Sequence, residues 1–432
     1  MVHKFELNGY YIVLDVYSGA IHSVDKLVYD ILDTYPDLPV GQYTAGLVEE
    51  ASQEIQLLVE KGLLFTPDSF QNFEKGHSVT KALCLHLAHG CNLKCRYCFA
   101  GEGEYGGTRA LMPEDVGKQA IDFIISASGG RRNLEIDFFG GEPLLNVKAM
   151  KEIVAYARLQ ESVFHKTFRF TLTTNGMLLD DDLQQYINEN MHNVVLSLDG
   201  RKEVNDSMRG CSYDVLVPRF LKMAESRKQR NYYIRGTFTR ENLDFCEDVL
   251  HLANLGFEQI SVEPVVAPPG ASYALQESDL PAIFSEYDKL AHKMLSRKEF
   301  NFFHFMIDLE GGPCVAKRLT GCGAGTEYLA VTPEGDLFPC HQFVGTNHFK
   351  MGNIWTGVTN NEAVSQFKNC HVYTKDNCHQ CFAKFYCSGG CAANAYQANN
   401  SLLKPDKLAC AMQKKRTECA IMLKVAESTK QS

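Results

Sequence analysis

Between residue 81 and about residue 264 the apolar positions fall into two alternating rhythms. Dense short runs at 82–87, 134–139, 168–173, 193–198, 232–238 and 259–265 read as buried strands. Stretches with helical spacing fit between successive runs, beginning near Pro113, Val147, Asp180, Tyr213 and Asp244. Six β-then-α units predict a parallel sheet with right-handed crossovers. The expected fold class is therefore α/β, with a closed or partial (β/α)6 barrel over 81–300. In such sheets ligands gather on the loops leaving the C-terminal strand ends.

The flanks follow different patterns. Residues 11–16 and 20–24 are β-like runs joined by the hairpin signal Tyr17-Ser18-Gly19. Asp25 can cap a helix reaching Leu32, with Leu27, Val28, Ile31 and Leu32 on one side. A second helix is expected from Ala45 to Lys61, stopped by Gly62 and followed by a strand-like Leu63-Leu64-Phe65. A hairpin with helices of this size suits a winged-helix-like unit over 1–70, and the polar stretch 66–80 reads as a linker. After Gly311 helical periodicity fades and Gly and Cys become frequent. A third unit over 311–432 would need metal–thiolate bonds to hold it together.

Composition narrows the class. The chain has 432 residues, 45% hydrophobic and 22% charged, as in soluble proteins of two or three domains. No apolar run approaches the roughly 20 residues that span a bilayer, and the N-terminus lacks a secretory signal, so a cytoplasmic protein with no membrane partner is expected. A net charge of -9 disfavours nucleic acid. Sixteen cysteines in a reducing compartment point to metal binding or catalysis rather than disulfides. Eleven fall into two regularly spaced groups; Cys84, Cys211, Cys246, Cys370 and Cys419 are scattered and read as buried apolar residues.

The first group, Cys91, Cys95 and Cys98, follows the first predicted strand directly. Three thiolates on one tight loop can hold three irons of a [4Fe–4S] cube and leave the fourth open. A zinc loop would more often use paired Cys-x-x-Cys units and four ligands. The CxxxCxxC spacing, with Tyr97 before the third Cys, resembles the radical S-adenosylmethionine (SAM) enzymes. That resemblance implies that Cys91, Cys95 and Cys98 are the catalytic cluster ligands and that SAM chelates the open iron. Gly140-Gly141-Glu142-Pro143 looks like the GGEP motif of that superfamily, which meets the SAM ammonium. Ser197 and Asp199, ending the fourth strand, resemble its ribose- and carboxylate-contacting segment, and Thr173 and Asn175, ending the third, are further candidate SAM contacts. Arg209 and Arg235 are further SAM partners by this reading, or else members of surface ion pairs.

The second group reads Cys322-x12-Gly335-x4-Cys340, then Cys378-x2-Cys381-x5-Cys387-x3-Cys391, then Cys410. It resembles the SPASM extension of radical SAM peptide-modifying enzymes. The resemblance implies two auxiliary [4Fe–4S] clusters, and thus three clusters in all. Cys378, Cys381, Cys387 and Cys410 would hold the distal one, and Cys322, Cys340 and Cys391 the nearer. Cys314 either supplies the nearer cluster's fourth ligand or is a loop residue, leaving an iron open for a substrate thiolate; the open site is favoured, because a bound Cys would be deprotonated and aimed. Sulfatase-maturating relatives carry an Asp after the equivalent of Cys340; here His341 stands there, as a base or as a structural residue.

Across the chain, with Gly321-Cys322-Gly323-Ala324-Gly325 and Phe338-Pro339-Cys340-His341-Gln342-Phe343, the sequence is similar to the SCIFF maturases. These install thioether crosslinks in a ribosomally made Cys-rich peptide whose leader is bound by the N-terminal unit. The partners so implied are that precursor peptide and a reducing donor such as flavodoxin or ferredoxin. Epimerisation, carbon–carbon crosslinking and formylglycine formation are the alternatives within this class. A DNA-binding winged helix with structural zinc is the alternative outside it, disfavoured by the acidic residues of the N-terminal unit and by the strand-end motifs.

Overall fold

The computed structural model describes all residues except 38–42, 77, 228–230, 269, 310–314 and 430–432, together with all side chains outside these but those of 315 and 316. Cys314 thus lies outside the described residues.

The N-terminal unit begins with a strand the hydropathy pattern did not reveal, β1 (Val2–Leu7), pairing antiparallel with β2 (Tyr10–Asp15). Beyond β2 lies β3 (Ile21–Val24). The period-2 alternation of β2 explains its uninterrupted apolar run. Val13 faces the helices α1 (Lys26–Ile31) and α2 (Ala45–Glu60), while Ile12 and Leu14 join the core of the main domain. Asp25 caps α1 by accepting from the Val28 amide at 2.9 Å. Leu63-Leu64-Phe65 is not a strand: Leu64 is buried in the helical core, and the Leu63 carbonyl meets the His22 ring at 3.0 Å.

The barrel unit runs β4 (Ala82–His89), β5 (Ala110–Leu111), α3 (Glu114–Ala127), β6 (Asn133–Gly140), α4 (Val147–Phe164), β7 (Thr167–Thr174), α5 (Asp181–Asn190) and β8 (Asn193–Ser197). It continues with α6 (Lys202–Arg209), α7 (Tyr213–Arg227), β9 (Asn231–Phe238), α8 (Phe245–Asn254), β10 (Gln259–Pro264), α9 (Leu280–Met294) and β11 (Asn301–Phe302). Strands β4, β6, β7, β8, β9 and β10 pair in parallel in that spatial order, and among the described residues β10 does not pair with β4 to close the sheet. On β7, for example, Phe168, Phe170 and Leu172 are buried toward the helices, while Thr171 and Thr173 face the partly open lumen. The same alternation puts Arg235 and Glu263 on the lumen side of β9 and β10.

The C-terminal segment is stitched onto this sheet. After α10 (Val315–Thr320), β12 (Tyr328–Val331) pairs parallel with β4, and β13 (Asp336–Phe338), β14 (Gly352–Asn353) and β15 (Gly357–Val358) extend the sheet antiparallel. Short helices α11 (Asn361–Lys368), α12 (Lys384–Cys387) and α13 (Ala392–Asn399) follow. The expected fading of helical order is wrong for the last segment, where α14 (Lys407–Thr429) spans 23 residues. Its second half is buried on nearly every side, from Cys419 through Leu423, against α9 and β1. A helix buried all round shows no amphipathic stripe to read.

The stretch read as a linker is also tied down. Asp68 accepts from the Tyr373 hydroxyl at 2.8 Å and pairs with Lys384 at 3.5 Å, and Lys75 reaches the Thr326 hydroxyl at 2.6 Å.

Candidate active site and auxiliary cysteine sites

The cysteine loop leaving β4 is clamped by backbone. The Gly141 amide donates to the Ala88 carbonyl (2.9 Å) and the Glu142 amide to the Gly90 carbonyl (3.0 Å). A Cβ on Gly141 would lie 2.1 Å from the Gly90 oxygen, and one on Gly140 (φ 118°) would lie 2.4 Å from the Ala88 oxygen. Only glycines allow β6 to end this close to the loop. Opposite, the Arg96 amide donates to the Met208 carbonyl at 2.9 Å, and the Arg96 guanidinium grips Glu241 through two bonds of 2.9 and 2.7 Å. That fork, and the Tyr105 hydroxyl on the Gly140 carbonyl (3.0 Å), had no sequence signal beyond position.

Glu142 is wholly buried, and its carboxylate is taken up by the protein itself. It accepts from the Thr174 hydroxyl (2.7 Å) and from the Leu144 (3.0 Å) and Asn175 (2.8 Å) amides. Burial raises its pKa against these donors. Pro143, also buried, opens the 3-10 turn Pro143–Asn146. Asn175 crosses to the loop, donating to Asn92 Oδ1 (2.7 Å) and the Cys91 sulfur (3.4 Å).

Behind the loop, the Tyr97 hydroxyl bonds both oxygens of Asp199 (2.8 and 2.7 Å), and Arg209 donates to that hydroxyl at 2.8 Å. Arg209 is buried rather than in a surface ion pair. Burial pushes Asp199 up to about 6 against the pull of Arg209, Tyr97 and the Thr237 amide. Ser197 sits beside Arg235 in the sheet register, and Thr173 one strand further on. Arg235 stands 3.4 Å from Glu263, which also meets His304 at 3.0 Å and Ser261 at 3.0 Å. Arg416 of α14 approaches the His304 ring at 3.3 Å. Burial alone would raise Glu263, but His304, Arg235 and Arg416 hold it well below the carboxylate range. Only Arg235 of this charged cluster was visible in the sequence, because its members lie on four elements: β9, β10, the turn at 303–305 and α14.

The thiols are suited to iron rather than to water. Burial raises Cys91, and takes Cys95 and Cys378 up to about 11 and Cys387 up to about 12. Such thiols ionise only against strong local positive charge, as coordinating metal provides. Among the described residues no three His, Cys, Asp or Glu side chains gather as around a single ion. The auxiliary cysteines instead border open volumes. Cys378, Cys381, Cys387 and Cys410 line one cavity of about 590 Å³. Cys322 and Cys391, with Cys387 and Cys410 again, line another of about 600 Å³, which reaches Arg235, Glu263 and His304. Space of that size with thiols at its walls fits a cube that places each ligand on a separate corner. Cys340 is buried and His341 half-buried beside this second cavity's Gln342, and desolvation of the ring, aided by Arg235, takes His341 down to about 4.

Comparison with known proteins places these features. Residues 85–253 match the Radical SAM superfamily and residues 322–382 the SPASM iron-sulfur cluster-binding domain. The radical SAM cyclopropyl synthase TigE of Paramaledivibacter caminithermalis is 21% identical over 79% of this chain and 74% of its own. Native anSMEcpe, solved with bound AdoMet and the Kp18Cys peptide, superposes with a TM-score of 0.66 at 20% identity, over 81% of this chain and 99% of that one. Streptococcus suis SuiB bound to its precursor peptide SuiA superposes at 0.54 and 16% identity, over 95% and 98%.

Proposed function

This chain belongs to the radical SAM/SPASM family of peptide-modifying enzymes, and from that premise we propose that it closes thioether bonds between Cys sulfurs and carbons of a ribosomally made, Cys-rich precursor peptide. The SCIFF maturases that the sequence resembles act in this way. The observation that carries the reading is the 600 Å³ cavity shared by the barrel residues Arg235 and Glu263 and the auxiliary-site residues Cys322 and Cys391. A substrate carbon at the barrel mouth and a substrate sulfur near the auxiliary cysteines would occupy one continuous space.

When bound, SAM and a [4Fe–4S] cluster on Cys91, Cys95 and Cys98 supply a 5′-deoxyadenosyl radical able to remove an unactivated hydrogen. The chain's own residues position and shield. Asn175 and the Gly140–Gly141 backbone hold the loop from one side, and the Tyr97–Asp199–Arg209 chain from the other. Thr173 and Ser197 stand at strand ends, and Arg235 lies opposite Ser197 in the sheet register, where a ribose and a carboxylate could be met. Cys322, Cys340 and Cys391 would hold the nearer auxiliary cluster, and Cys378, Cys381, Cys387 and Cys410 the distal one. His341, with its pKa lowered to about 4, is a weak base for a thiol proton, which favours a structural role for it. The outer edge of β3 has no strand partner among the described residues, and offers a leader peptide the hydrogen bonds of an added strand. A low-potential donor such as flavodoxin or ferredoxin would deliver the reducing electron.

Each crosslink removes a hydrogen atom from carbon, and a proton and an electron from the sulfur side. Anaerobic incubation with SAM, reductant and a Cys-rich precursor should yield deoxyadenosine and a peptide about two mass units lighter per crosslink, with the participating Cys resistant to alkylation. A product of unchanged mass would instead mark epimerisation. Two units lost with every Cys still alkylated would mark a carbon–carbon bond, and either result defeats the thioether reading.

A further inference from the structure

Lys375 is a buried ammonium without a carboxylate of its own. The residue is 3% exposed, and its Nζ bonds only the carbonyls of Gly389 (2.8 Å) and Gly390 (3.3 Å) and the Cys370 thiol among the described residues. Other deeply buried lysines have evident explanations: Lys384 faces Asp68, and Lys166 closes the C-terminal end of α3 through Ser128 and the carbonyls of Gly129 and Arg131. An interior charge lacking a counter-ion is costly, so the position of Lys375 implies an anion.

Geometry says which anion. The Cys378 amide donates to the Lys375 carbonyl at 3.2 Å, one turn away. The carbonyls on Nζ belong to Cys387-Ser388-Gly389-Gly390-Cys391, where three successive residues take left-handed φ values of 58°, 84° and 69°. A Cβ on Gly389 would sit 3.2 Å from Lys375 Cδ, so the turn wraps the lysine stem closely. Cys387 lines both cavities and Cys391 the second. By the cluster assignment above, Lys375 pins the turn that carries Cys387 to one auxiliary site and Cys391 to the other. Gly389, whose carbonyl takes the Lys375 Nζ, lines both cavities, which sets the ammonium close behind each.

We propose that Lys375 is a positioning residue shared by both auxiliary clusters, holding the Cys387–Cys391 turn in place and easing reduction of the clusters through its positive charge. The inference rests on the cluster assignment made above. Thiolate-ligated cubes carry net negative charge, and a nearby cation favours the more negative, reduced state.

The test is an EPR-monitored redox titration of anaerobically reconstituted protein, with iron counted beforehand. About twelve irons are expected in the wild type; about four would defeat the cluster assignment itself, separately from the role of Lys375. In Lys375→Met, the reduction equilibrium of the auxiliary clusters should fall at least tenfold, or 59 mV for a one-electron couple. The cluster on Cys91, Cys95 and Cys98 should keep its potential, and Lys375→Arg should restore most of the loss. Unchanged auxiliary potentials in an iron-replete Lys375→Met overturn the proposal. Should Lys375→Met lose iron, Lys375→Gln, which still donates to the carbonyls, is titrated in its place under the same criterion. If neither neutral variant holds auxiliary iron but Lys375→Arg does, the charge requirement stands. If Lys375→Arg fails as well, only the lysine shape matters and the proposal falls.

Discussion

Asp137 shows how strongly one lumen residue can feel its surroundings. It lies on the inner face of β6, where burial and the neighbouring Glu135 push its pKa up to about 7 despite a hydrogen bond from Thr171. The folded state keeps this proton between about pH 4 and 7, while the unfolded chain has already released it. Stability therefore declines as pH rises through that window, and the full penalty applies above it. Asp137→Asn cannot ionise. It should leave the anaerobic melting temperature unchanged near pH 4 and raise stability at pH 8.5 by at most about 4 kcal/mol. A variant that melts no higher than wild type at pH 8.5 would show the site to be solvated in solution. The residues of the Tyr97–Asp199–Arg209 chain differ in kind, since the Tyr97 hydroxyl joins the Asp199 carboxylate and the Arg209 guanidinium across separate strand-end loops. From the sequence, Tyr97, Asp199 and Arg209 could be chosen by motif, but not joined to one another. Their separations of 102 and 112 positions close only when β4 and β8 lie in one sheet.

Among the elements, the junction of β4 and β6 matters most to the candidate site. Gly141→Ala would place a methyl carbon 2.1 Å from the Gly90 oxygen, against backbone that has no rotamer to yield. The two strand ends must then part, carrying Cys91 away from its neighbours. Iron analysis of the reconstituted variant should show a loss of about four irons, with deoxyadenosine formation abolished and auxiliary clusters retained. Full iron with normal SAM cleavage would mean that the turn relaxes without moving the loop. The bounds of the six parallel strands and the starts of five helices in this region were legible in sequence to within a residue or two, because those strands are dense in apolar residues; the short β5 and α6 were not. β1 and α14 were not, for opposite reasons: β1 alternates charged and apolar residues over only six positions, and α14 buries most of its circumference.

For the molecule as a whole, the N-terminal unit is part of the structure rather than a tethered module. Phe5, Leu7, Ile12 and Leu14 share a core with the barrel and α14, and Asp68 and Lys384 form a buried pair with side chains 5% and 0% exposed. Removing one partner strands the other charge. Asp68→Ala should cost about 3 kcal/mol, and adding Lys384→Met should recover much of it, as chemical denaturation of the single and double variants would reveal. Additive losses would show that the two charges act independently. Among the described residues no helix is long and apolar enough to cross a membrane. Sequence by itself determined the α/β class, the order of the six parallel strands and the two cysteine groups, because apolar period and ligand spacing are local properties of the chain. Tertiary structure alone decided that Arg235, Glu263, His304 and Arg416 meet at the cavity lined by Cys322 and Cys391, and that Lys375 bonds the Gly389 and Gly390 carbonyls between Cys387 and Cys391. Those contacts join elements far apart in sequence, and their energies depend on a buried environment that forms only when the sheet, α14 and the cysteine-rich loops pack together.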